Sequence, residues 1–278
     1  MPTCKTKQKT TKKYPQELNN QQWKQLKPLL PHPKKQANGP GRSPLELRQV
    51  INAILYVMPS GCWWAMLPND YPHHKSVYHY YNTWSKAGDW QEIHIKLVSK
   101  VRKKMGRKKR PTASSIDSQS VKTTQIGGQE RGFDAAKVVK GRKRFILVDT
   151  LGLLLAVKVV AASVSEKAGA KLLIEKIWSH SLLKELCGKL ELVWVDAAYQ
   201  GDDLYDWVAN LTGWLWQVVK RSDSAKSFVL LPRRWVVERS FAWLSFNRRL
   251  SKDYEKLIRN SESALYIAML PMMLKRLK

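Results

Sequence analysis

The sequence predicts an α/β fold behind an all-helical N-terminal region, on three observations. The 278 residues are 44% hydrophobic with 12 Trp, enough to bury one large core or two modest ones and too many for a disordered chain. Up to about residue 110, apolar residues recur at helical spacing; beyond Pro111, short strand-like runs take turns with helical ones. The change falls at the end of a cationic run, Arg102 to Arg110. The expected organisation is a basic, flexible N-terminus over 1–16, a helical domain over 17–108 and an α/β domain over 109–278.

In the helical region, Asn19 caps a short helix carrying Trp23, Leu26 and Leu30, which the Pro31 to Pro44 stretch ends. Ser43, with Glu46 three residues on, has the form of a capping box for a helix with Leu47, Val50, Ile51, Ile54, Leu55 and Met58 on one face. Pro59, Ser60 and Gly61 stop it. The bulky Cys62 to Leu67 segment leads through Pro68 and Pro72 to a helix holding Val77, Tyr78, Tyr81 and Trp84, with Trp90 past a break at Gly88. Short helices, tight turns and an exposed face with Lys75, His79 and Lys86 suit a helix-turn-helix DNA reader; a generic helical bundle gives the same pattern.

Beyond Pro111, Ser114 to Asp117, Phe145 to Asp149 and Leu153 to Ala161 read as strands. A turn at Thr150, Leu151 and Gly152 joins the last two, with Asp149 as turn former. A helix over Lys167 to Leu186, a strand over Leu190 to Val195, a helix over Asp202 to Leu211 and a strand over Trp214 to Val219 follow. A final helix starts at Pro232, with Pro in its first turn. That order belongs to the ribonuclease H-like fold, a mixed sheet with flanking helices whose first three strands meander and whose fourth lies parallel beside the first.

A net charge of +27 and a pI near 10.1 impose self-repulsion that a polyanion relieves, and nucleic acid is the leading partner class. Residues 1–110 carry 22 Lys and Arg against 5 Asp and Glu, so the helical region is the more basic. Cys4, Cys62 and Cys187, odd in number and far apart, argue against a disulfide framework and suit a reducing cytosol. The Lys- and Thr-rich start lacks the apolar stretch of a secretory signal. Phe145 to Val164 is interrupted by Asp149 and Lys158, and Ser263 to Leu274 is too short to span a bilayer. These features predict a cytoplasmic, nucleoid-associated protein with no membrane partner. Gly127, Gly128 and Gly132 lack the Lys of a nucleotide-binding loop, and His73, His74, His79 and Cys62 lack zinc-site spacing.

With that strand order, Asp117 and Asp196 end neighbouring strands on one edge of the sheet, and Glu238, in the final helix, points back toward them. Three carboxylates at close range need divalent cations, and hard oxygen donors suit Mg²⁺ or Mn²⁺. Two such ions, roughly 3.5–4 Å apart, clamp the attacking and leaving oxygens of an in-line phosphoryl displacement. Each acid also has a plainer reading: an aspartate at a strand end is commonly a turn former, and Glu238, four residues after Arg234, suits a helix-surface ion pair. Lys122, Lys137, Lys140, Arg142, Lys143 and Arg144 bracket the hairpin beside Asp117 and suit DNA phosphates; the alternative is a solvated sheet edge.

The strings Ser115 to Lys122, Lys140 to Arg144 followed by Val148 to Gly152, Asp196-Ala197-Ala198-Tyr199-Gln200-Gly201 and Pro232 to Arg239, in this order, resemble the DDE transposases of bacterial insertion sequences, IS-five branch. Gln22 to Pro31 and Ala53 to Pro68 are similar to that branch's helical N-terminal region, so the likeness spans roughly residues 17 to 275. The resemblance implies a transposase that binds the terminal inverted repeats of its element and cuts and joins DNA with two Mg²⁺ or Mn²⁺ ions. It assigns Asp117, Asp196 and Glu238 as catalytic and metal-binding residues, and Arg234 to a phosphate; Arg239 and Lys75 join the expected DNA contacts. Where the wider group carries Tyr and Lys seven residues before and after the Glu, this chain has Leu231 and Ser245, with Arg248 or Arg249 one turn on. Double-stranded element ends and target DNA are the implied partners, and joining two ends implies a homodimer or larger synaptic complex. Two other readings stand beside it: a DNA-binding protein or repressor that has lost catalysis, and a general ribonuclease H-like nuclease that cuts without joining.

Overall fold

The computed structural model describes residues 14–31, 43–125, 128, 130–219 and 235–277. Residues 1–13 of the basic N-terminus, Arg234 and the expected helix start at Pro232 lie outside them.

Local chemistry sets the first helices. Helix α1 (Asn20–Leu26) opens on a reciprocal capping box: Gln22 N–H donates to Asn19 Oδ1 at 2.8 Å, and Asn19 N–H donates to Gln22 Oε1 at 3.0 Å. Helix α2 (Leu47–Ser60) departs from the Ser43 reading, starting after an extended Glu46 that makes no side-chain cap. Its first turn is tied instead to α1, through Arg48 bonds to Leu18 O and Asn20 Oδ1. The helix also runs through Pro59 and ends at Gly61, whose φ of +67° sets a left-handed cap. A side chain at Gly61 would further meet Arg248 Cβ at 2.9 Å, so both backbone and space demand glycine. Helix α3 (His74–Ala87) turns at Gly88 into α4 (Asp89–Lys104). Acids in the first turn of α4 and cations in its last complement the helix dipole.

The sheet comprises β1 (Ala113–Lys122), β2 (Gly132–Asp134), β3 (Val139–Asp149), β4 (Leu154–Ala161), β5 (Leu192–Val195) and β6 (Leu215–Val218), in the order β2-β3-β1-β5-β6. The outer edge of β3 is shared, β2 pairing near its start and β4 along the rest. β1, β3 and β4 form the antiparallel meander, β5 runs parallel to β1, and β6 parallel to β5. This is the ribonuclease H-like mixed sheet that the element order predicts.

Two expected helices are each divided. The segment expected as one helix over Lys167 to Leu186 forms α5 (Glu166–Ser179) and α6 (Ser181–Cys187), broken at an extended His180 so that Leu183, Leu186 and Cys187 turn into the core. Helix α7 (Asp202–Thr212) lies between β5 and β6. The final segment forms α8 (Trp235–Ser245) and α9 (Ile258–Arg276); Asn247 closes α8 by donating its amide to Leu244 O at 3.3 Å. α9 is buried on nearly every side and is the hub of the molecule.

The change of pattern near residue 110 is a change of secondary structure, and one apolar core crosses it. Tyr81 Oη donates to Asn260 O at 2.8 Å, His94 lies between Leu154 O and Tyr266 O, and Arg102 pairs with Asp149, both buried. Among the described residues no helix is long and apolar enough to cross a membrane.

Candidate functional site

The parallel pairing of β1 with β5 places Ser115 opposite Trp194. β1 runs on past the expected end at Asp117 to Lys122, so Asp117 lies inside its strand while Asp196 directly follows β5. Extending the β1–β5 register by two residues sets the two side by side, where adjacent strands are about 4.8 Å apart. Local bonds orient each carboxylate. Ser118 N–H donates to Asp117 Oδ1 at 2.7 Å, and Ala198 N–H to Asp196 Oδ1 at 2.9 Å, the latter capping a short helical turn over Ala197–Tyr199. Tyr199, at the end of that turn, is buried beside both aspartates. Burial first, then the Asp117 charge, with Asp196 and Glu166 adding to it, holds its phenol well above the ordinary range, so Tyr199 is a neutral hydroxyl.

Glu166, in the first turn of α5, extends the acidic neighbourhood and reaches Lys143 Nζ at 3.0 Å. Neither Tyr199 nor Glu166 was singled out from sequence for a role. For Tyr199 the signal was its place three residues after Asp196; for Glu166 it was the Ser165 cap before it.

Glu238 lies in the first turn of α8, which packs on the sheet through Val236, Val237, Ser240 and Leu244. Its own side chain is exposed. As a donor set, Asp117 and Asp196 suit a hard divalent cation such as Mg²⁺. Among the described residues, however, no three His, Cys, Asp or Glu side chains are gathered to hold a metal ion.

The cations expected at the mouth of the site divide sharply. Lys122, Lys140, Lys137 and Lys75 are exposed. Arg142, Lys143 and Arg144 are not surface cations: β3 is covered on both faces, so alternation carries all three inside. Arg142 binds Asp253, Ser261 Oγ and the carbonyl oxygens of Glu255 and Lys256. Lys143 binds Val164 O, Glu166 and Asp134. Arg144 donates to Leu250 O at 2.8 Å, and burial lowers its pKa to about 10. Arg249 is likewise internal, paired with Glu255 at 2.8 Å, whereas Arg248 is exposed. Arg239 is half-buried between Trp235 and Trp243, and Arg234 lies outside the described residues.

Comparison with known proteins agrees along most of the chain. Residues 18–94 match the family model described as a putative transposase of IS4/5 family, and residues 108–273 match the transposase DDE domain model. The insertion element IS402 uncharacterized 16.2 kDa protein of Burkholderia cepacia is 32% identical over 88 residues, 31% of this chain and 60% of that protein. The chain thus matches under two thirds of that relative's length.

Proposed function

The chain belongs to the transposase DDE domain family, and from that premise we propose that it binds the terminal inverted repeats of a mobile element and catalyses metal-dependent DNA cleavage and strand transfer. The observation that carries this reading is the parallel pairing of β1, which holds Asp117, with β5, which Asp196 follows, in a ribonuclease H-like sheet, with both carboxylates acting on Tyr199. Asp117, Asp196 and Glu238 would hold two Mg²⁺ or Mn²⁺ ions, the last on the likeness of the Pro232 to Arg239 block. When bound, such ions supply Lewis acidity at a phosphate and activate a water or 3′-hydroxyl.

The protein's own contribution is placement. Backbone N–H groups of Ser118 and Ala198 fix the two carboxylates before DNA arrives. Lys122 and Lys140, near one another at the β1–β3 end, contact phosphates, as do Lys75 on α3 and Arg234. The helical region reads the repeats, and two copies bring two ends together in the cytoplasm at the nucleoid.

The test is cleavage and joining of end DNA in Mg²⁺. Asp117→Asn and Asp196→Asn are expected to reduce both steps to background while duplex binding persists; an Asp117→Asn protein that cuts and joins like wild type overturns the assignment. A second reading, a binding protein without catalysis, draws on the exposure of Glu238 and on the lack, among the described residues, of three His, Cys, Asp or Glu side chains gathered to hold a metal ion. That reading predicts chelator-insensitive binding with no nicking in any divalent metal.

A further inference from the structure

We propose that the half-buried stripe formed by Trp235, Arg239 and Trp243 of α8, with Phe246 just beyond it and Arg276 from α9, is a stacking track for an unpaired DNA strand. The idea rests on the reading that this chain handles DNA and names a class of substrate for it. Trp235, Arg239 and Trp243 follow at intervals of four, which keeps them on one side of α8, apart from the packed face of Val236, Val237, Ser240 and Leu244, and Phe246 comes directly after the helix. The Arg239 guanidinium lies 4.3 Å from the Trp235 ring centre and 4.8 Å from that of Trp243, and Arg276 lies 5.0 Å from Trp243. Phe246, 78% exposed, ends the stripe.

Among the described residues the stripe lacks an anion. Among the described residues neither guanidinium has a hydrogen bond or ion pair, and Arg239 Nε is buried without a partner. Burial, and then the nearby Arg276 charge, depress the Arg239 pKa. Asp149 acts on both arginines from a distance, but its carboxylate is occupied by Arg102 and by the N–H groups of Leu151 and Leu153. Two cations held against aromatic faces with no carboxylate opposite suit a phosphodiester.

At the Phe246 end the stripe opens into a cleft of about 600 Å³, lined among others by Trp243, Phe246, Met272, Lys275 and Arg276, with Glu17 on its wall bonded to the Tyr71 hydroxyl. That volume is in the range that holds a small ligand such as a single nucleotide unit. A duplex offers phosphates but keeps its base faces stacked, whereas an unpaired strand offers both faces and charge.

Fluorescence anisotropy of the full chain in chelator, with a labelled oligothymidylate of about 12 nucleotides and a duplex of equal length, tests the track. Phe246→Ala and Trp235→Ala are each expected to weaken single-strand binding about tenfold and to change duplex binding by less than about twofold. Because Phe246 is so exposed, its truncation leaves the fold intact and the result interpretable. Single-strand affinity unchanged in both variants, or duplex affinity falling in step, overturns the proposal. Asp117→Asn serves as the separating control: retained oligothymidylate binding supports a track independent of the acids, and its loss overturns that independence. Cleavage by the same variant bears only on the catalytic reading.

Discussion

Arg142 is fully enclosed, and its guanidinium is the only cation within ion-pair distance of Asp253 among the described residues. Removing it strands a buried carboxylate and the carbonyl oxygens of Glu255 and Lys256, so Arg142→Ala is expected to cost about 3–5 kcal/mol of stability, read as a lowered urea midpoint. The exposed Lys122 and Lys140 behave oppositely. Alanine at either is expected to leave stability within about 0.5 kcal/mol and to reduce the slope of log affinity against log salt by about 1. If Arg142→Ala instead unfolds like wild type and weakens DNA binding alone, the internal role is wrong. The string Lys140 to Arg144 gives no local sign of this division. The partners of Arg142 and Arg144 lie in residues 250–261, more than a hundred positions away, those of Lys143 on β2, α5 and the turn before it, and burial of a strand on both faces is a property of the sheet. Asp149 was half legible for the same reason. Its bonds to Leu151 and Leu153 N–H are local turn chemistry, whereas its pairing with Arg102 is not.

Helix α5 crosses β3 where Gly169 faces Phe145, and a Cβ on that glycine would fall 2.0 Å from Phe145 Cζ. Phe145 is wholly buried and has no room to yield. Gly169→Ala is therefore expected to destabilise by about 1–3 kcal/mol, overriding the roughly 1 kcal/mol that alanine gains in a helix. Thermal unfolding checks this, with Phe145→Leu expected to recover part of the loss in the double variant. A stabilised Gly169→Ala protein would mean that α5 sits farther from the sheet. Element boundaries were legible where the cap is made by neighbours in sequence, as at Asn19 and Gln22. They were illegible where a distant partner decides, as at the start of α2, held by Arg48 to Leu18 O and to α1. The three-residue β2, paired with β3, is too short to leave a periodic signal. The same distinction runs through the candidate site: the two aspartates follow from strand order, while the position of α8, and with it Glu238, depends on packing that strand order does not determine.

At the scale of the whole molecule, the helical region and the sheet share one core, and His94 on α4 lies at the seam, fully buried. Nε2 lies 2.8 Å from Leu154 O, Nδ1 lies 3.3 Å from Tyr266 O, and burial lowers the pKa from 6.5 to about 4 despite both carbonyls. Between those two values the unfolded chain binds a proton that the folded protein refuses, so acid favours unfolding. The contribution of neutral His94 is complete above about pH 6.5 and is lost as pH falls toward about 4. The full window corresponds to about 3 kcal/mol, of which about 2 kcal/mol is gone by pH 5. Asp149 and Glu255 work in the opposite direction, because burial raises both carboxyl groups and the folded state takes up their protons more readily. The informative quantity is therefore the difference between wild type and His94→Gln, in which the side chain at the seam no longer titrates. Urea unfolding at pH 7 and pH 5 should show wild type losing about 2 kcal/mol more than the variant. Since α4, β4 and α9 all meet at His94, the loss should appear as one cooperative transition seen alike by helix and sheet probes. Equal pH dependence in the two proteins, or a helical region that melts separately from the sheet, would mean that the seam does not bind the two parts into one folding unit.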